Sequence, residues 1–119
     1  MRPPPDLPTI RAAFWAQRAL RQARRALRAG RLAEIELLAP PDLPQSAERG
    51  VQALLRRRPA TCLERALVLQ RWHAALGRER EIVIGVRGPT DNFAAHAWLE
   101  GEPDGETGVF EELLRLPAS

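Results

Sequence analysis

Residues 61–67 read Thr61-Cys62-Leu63-Glu64-Arg65-Ala66-Leu67 and hold the chain's single cysteine. Pro59 lies just ahead, Thr61 has a capping side chain, and Glu64 follows it by three residues. That pattern predicts a capping box: the Thr61 hydroxyl accepts from the Glu64 N–H, and the Glu64 carboxylate accepts from the Thr61 N–H. An apolar stripe at helical spacing continues through Leu63, Ala66, Leu67 and Leu69 or Gln70, with Gly77 as the stop of a helix running to about Leu76. Cys62 then falls in the first turn, where unpaired N–H groups and the positive end of the dipole favour an anion. Thiolate is the reactive form of cysteine. Alone, such a residue is as ordinary as any small buried hydrophobe.

The chain downstream supplies what thiol chemistry needs. Residues 81–87 are β-rich and read as a central strand, 88–92 as a loop, and 93–100 as a second strand. Strand alternation places His96, Trp98 and Glu100 on one face and Ala95, Ala97 and Leu99 on the other. Residues 101–105 read as a hairpin turn, with 106–110 returning antiparallel. Residues 111–116 read as a further strand with Leu113, Leu114 and Leu116 packing inward. His73 lies on the cysteine helix itself, about 16 Å from Cys62 at about 1.5 Å of rise per residue, on its surface or partly packed. That leaves His96 as the imidazole. A nucleophile at a helix start, then a base on a strand, then acids is the ordered set of a thiol hydrolase.

"TCLERALVLQRWHAALGREREIVIGVRG" followed by "NFAAHAWLEGEPDGE" resembles the transglutaminase-like leader peptidases of lasso-peptide biosynthesis. The resemblance lies in the Cys-Leu-x-Arg helix, the Ile-Gly-Val-Arg strand end and Ala-His-Ala-Trp, and covers about half the chain. It implies a small papain-like cysteine protease that removes the leader from a ribosomally made precursor peptide. It further implies a separate recognition protein that presents the leader, and a lasso cyclase that takes the freed core. Cys62 and His96 coincide with the family motif as nucleophile and base. The family's third member is an acid on the returning strand; at the corresponding spacing this chain has Gly108, which cannot serve. Glu106, in a Gly-Glu context, is the first candidate, followed by Asp104 and then Glu111. The backbone N–H of Cys62 would supply one oxyanion donor.

At 119 residues the chain is one domain. All 18 basic residues are arginine, and twelve of them precede Cys62 against five acids. Such a bias fits an acidic partner, a peptide or a membrane surface. Arg56-Arg57-Arg58 is short and lacks interleaved aromatics, so no nucleic acid is expected. One cysteine fits a reducing compartment. No stretch is long enough to span a bilayer and the start lacks the apolar run of a secretory signal, so a cytoplasmic protein is expected. Two histidines and one cysteine are too few for a zinc site, and no cofactor loop is present in the sequence.

Towards the N-terminus, residues 1–8 are proline-rich and read as a flexible tail. Residues 9–29 read as a helix capped by Thr9, with Ile10, Phe14, Leu20, Ala23 and Leu27 as its apolar stripe and Gly30 as its stop. Residues 31–39 read as a second helix closing on the first as an αα-hairpin. Prolines 40, 41 and 44 make a linker, and a third helix runs from Gln45 or Ser46 to about Arg58, burying Val51, Leu54 and Leu55.

The sequence therefore predicts an α+β, papain/transglutaminase-like fold. N-terminal helices (9–58) would serve partner docking, and a core (59–119) would pack the nucleophile helix on a small antiparallel sheet. The reaction expected is thioester-mediated cleavage by Cys62, His96 and Glu106. The rival readings are a binding module of the same fold without catalysis, and an acyltransferase.

Overall fold

The computed structural model describes residues 6–87, 94–101 and 111–118. Its first helix, α1 (Leu7–Arg28), starts earlier than Thr9. Asp6 is the N-cap instead, accepting from the Thr9 backbone N–H at 2.9 Å and from the Thr9 hydroxyl. Pro8 sits in the first turn, where its missing N–H is no loss. The buried face of α1 matches the expected stripe at Leu20, Ala23 and the partly buried Leu27 but not at Ile10 and Phe14. Ala12, Trp15, Ala16, Ala19, Leu20 and Ala23 face the core, whereas Ile10 is exposed and Phe14 is 69% exposed. α2 approaches the start of α1 closely: a Cβ on Gly50 would lie 2.1 Å from the Thr9 carbonyl oxygen.

Residues 31–39 do not form the expected helical hairpin. A single 3-10 turn (Leu32–Glu34) gives way to extended chain. Its backbone is claimed by distant side chains: the Trp15 indole donates to the Leu38 carbonyl (2.8 Å), the Leu38 N–H to Gln22 (2.8 Å), and Arg71 to the Leu37 carbonyl (3.3 Å). Pro40 also disfavours helical geometry at Ala39. A 3-10 turn (Gln45–Ala47) then leads into α2 (Glu48–Arg57), which buries Gly50, Val51 and Leu55.

Helix α3 (Cys62–Ala75) is the centre of the core. It ends as expected, with Gly77 at φ 80° and the Arg78 N–H returning to the His73 carbonyl. His73 is not on the helix surface; it is 2% exposed, with Nε2 4.0 Å from Glu48. Glu48 also accepts from the Trp72 indole at 3.1 Å. Trp15 and Trp72 meet with ring centroids 5.9 Å apart, joining α1 to α3.

Among the described residues the sheet has three antiparallel strands in the order β2-β1-β3: β1 (Ile82–Arg87), β2 (Ala94–Leu99) and β3 (Glu111–Leu116). β1 is central, as its continuous Ile-Val-Ile-Gly-Val run implies. Ile82 and Leu99, paired in register, are buried with Ala97 against α3. Gln70 clamps the helix to the sheet, donating to the carbonyls of Arg80 (2.9 Å) and Leu116 (3.0 Å). In β3 the register shifts opposite Ile84 and Gly85, leaving Leu113 as an extra residue. The expected inward packing holds only for Leu116; Leu113 and Leu114 are 68% and 47% exposed. The whole is a mixed α+β architecture with the cysteine helix packed on a small antiparallel sheet.

Candidate active site

The start of α3 is fixed by local and long-range bonds. Both halves of the capping box are present: Glu64 N–H to Thr61 Oγ1 at 3.1 Å, and Thr61 N–H to Glu64 Oε1 at 2.9 Å. Glu64 is 8% exposed and also receives Arg24 Nε from α1 at 3.3 Å. Arg65, the arginine of the Cys-Leu-x-Arg motif, donates to the Leu55 carbonyl in the last turn of α2 at 3.0 Å. One turn of helix is thereby tied to both neighbours. Neither tie has a local sequence signal, because each partner is remote in the chain.

Cys62 is the first residue of α3 and half-buried. Its sulfur meets β2, where the Ala97 backbone N–H donates to Sγ at 3.3 Å. β2 is an edge strand among the described residues, and its outer side turns an N–H towards the helix start rather than into the ladder with β1. An N–H aimed at sulfur is a stronger bond to a thiolate than to a thiol.

His96 precedes Ala97 and is half-buried. Its ring stacks on Trp98, with centroids 5.7 Å apart and planes 22° apart. Directly across the ladder is Gly85, so no cross-strand side chain presses on the imidazole from β1. The structure thus brings the thiol of Cys62 to the strand of His96, one residue along from it.

Glu106 and Asp104 lie outside the described residues. Glu111 is placed on β3, with β1 between it and β2: Val86 pairs with Ala95 on one side and Glu111 on the other. Glu112 shares the row of His96 across Gly85 and was not anticipated. Both of its oxygens, however, are engaged by Arg115 at 3.0 and 2.9 Å, which holds its carboxyl below the usual carboxylate range. Arg115 also pairs with Glu100 at 2.7 Å and has its own pKa raised by these carboxylates, Glu112 first.

A helix-borne cysteine whose sulfur rests on the strand of a histidine is the core of the papain-like arrangement. The family model of the transglutaminase-like superfamily matches residues 7–113. The chain belongs to the transglutaminase-like superfamily. No curated protein and no solved structure gives a match. Transglutaminase-like proteins are usually cysteine proteases or acyltransferases, chemistries that share a thioester on the cysteine. The match takes in α1, α2, α3, β1 and β2 and ends inside β3, so the N-terminal helices fall within the family match. No helix among the described residues is long and apolar enough to cross a membrane.

Proposed function

We propose that this transglutaminase-like protein is a cysteine protease that removes the leader from a ribosomally synthesised lasso precursor peptide. The observation that carries a thiol hydrolase is the Ala97 N–H to Cys62 Sγ bond, which holds the sulfur beside the residue that follows His96. The choice of substrate rests on the Cys-Leu-x-Arg, Ile-Gly-Val-Arg and Ala-His-Ala-Trp resemblance.

In this reading His96 takes the thiol proton and the Cys62 thiolate attacks the scissile carbonyl. The tetrahedral intermediate collapses to a thioester as the C–N bond breaks, and imidazolium gives its proton to the leaving amine. Water, deprotonated by His96, then hydrolyses the thioester and frees the acid and Cys62. Glu106 holds the imidazole tautomer, with Asp104 and Glu111 as the further candidates. A leader-recognition protein presents the substrate, and the lasso cyclase takes the core in the cytoplasm.

The test is incubation with a lasso precursor peptide and its recognition protein, read by mass. Leader loss is expected, and both Cys62→Ala and His96→Ala should abolish it while keeping the fold. Cleavage that survives in either variant overturns the assignment. Added hydroxylamine separates transferase from protease: an acyltransferase gives the hydroxamate as its main product, a protease the free acid. Iodoacetamide tests the inactive-module reading, since an unactivated Cys62 alkylates no faster than a free thiol.

A further inference from the structure

Between α1 and α2, on the face turned from α3, runs an open groove of about 640 Å³. Its α1 wall carries Ile10, Phe14, Gln17, Arg18 and Arg21; its α2 wall carries Leu54, Arg57 and Arg58. The groove is apolar towards the start of both helices and basic towards their ends. Phe14 is 69% exposed, yet it sits on a helix whose other face is fully packed. All four arginines are exposed, none has an ion pair among the described residues, and no carboxylate lines the groove.

We propose that this groove docks an acidic amphipathic helix of a partner protein. An apolar stripe at i, i+3, i+4 and i+7 lies along Ile10, Phe14 and Leu54, and carboxylates at one end of that helix pair with Arg18, Arg21, Arg57 and Arg58. A lipid surface is the less favoured occupant, because a concave channel between two helices fits a convex rod better than a plane. The arginines at one end also give the bound helix a direction. This inference is independent of the peptidase reading, because it is measured by binding and needs no chemistry at Cys62.

The experiment uses the full chain with Cys62→Ala, and a fluorescein-labelled helical peptide carrying a leucine stripe with glutamates at one end. A twin peptide has lysines in place of the glutamates. Saturable anisotropy is expected for the acidic peptide and not for the basic one. Phe14→Ser should weaken binding about tenfold or more, and Arg18→Glu with Arg57→Glu should reverse the preference between the twins. Both sets alter exposed side chains, and circular dichroism checks that each variant folds. Equal binding of the twins, or binding indifferent to these substitutions, overturns the proposal. So does binding confined to phosphatidylglycerol vesicles, which would make the face a membrane surface. Concentration-dependent self-association lost in Phe14→Ser, without peptide binding, overturns it in favour of a second copy of the chain.

Discussion

The Ala97 amide donates to Cys62 Sγ across 3.3 Å, so the thiol's position depends on the strand and the strand's outer edge depends on the thiol. Removing the sulfur should therefore have a structural effect separable from its chemical one. Cys62→Ala leaves a buried N–H without its acceptor and is expected to lose about 1 kcal/mol of stability. Cys62→Ser restores an acceptor and should recover part of that loss in urea unfolding, while reacting with no alkylating agent. Equal stability of the Ala and Ser variants would show that the bond holds nothing in place.

The capping box sets where α3 begins and hence where Cys62 stands. Thr61→Ala removes the acceptor for the Glu64 N–H and should lower stability by about 1 kcal/mol. Glu64→Gln is expected to be milder, because glutamine still reaches the Thr61 N–H and loses only the charge that faces Arg24. The ordering of the two urea midpoints is the check. A Glu64→Gln loss larger than that of Thr61→Ala would make the Arg24 pair, not the cap, the anchor of the helix.

How far these elements were legible depends on how local their causes are. The start and end of α3 could be read because Thr61, Glu64 and Gly77 act within one turn of themselves. β1 could be read as central from its unbroken apolar run, and His96 and Trp98 do lie on the face opposite Ala97 and Leu99. The buried face of α1 could be read at Leu20, Ala23 and Leu27 but not in its first turns, where periodicity favoured the large residues Ile10 and Phe14. Near the start of α1 Gly50 comes against the Thr9 backbone, a long-range contact with no local sequence signal. Residues 31–39 have helical composition, but Trp15, Gln22 and Arg71 claim their backbone from afar. The bulge that leaves Leu113 outside is likewise a matter of pairing with β1, invisible in β3 alone.

The Asp6 cap has a pH signature of known sign. Bonds from the Thr9 hydroxyl first, then the Thr9 N–H, with Arg49 adding its charge, hold the Asp6 carboxyl below its ordinary value of 3.8. A folded pKa below the unfolded one means a contribution fully present above that ordinary value and lost as pH falls through the folded one. The melting temperature of wild type should exceed that of Asp6→Asn at neutral pH, with the gap closing below about pH 4. Asparagine also caps helices, so the gap reports the charge and not the cap. A gap that widens on acidification would contradict the assignment.

Gly50 is the contact on which the seating of α1 depends. A methyl group there would stand 2.1 Å from the Thr9 carbonyl oxygen and 3.0 Å from its carbon, both backbone atoms that no rotamer change can move aside. Alanine ordinarily favours a helix interior over glycine by about 1 kcal/mol, so propensity alone predicts stabilisation. Overpacking typically costs about 1–3 kcal/mol and here displaces a whole helix, so the steric effect should win. Gly50→Ala is expected to lower stability by about 1–2 kcal/mol net, whereas Ala29→Gly, at the exposed end of α1, should change it little. If Gly50→Ala instead raises the urea midpoint, the helices are not held in contact at Thr9 in solution, and the groove flanked by Phe14 and Leu54 would have a different shape.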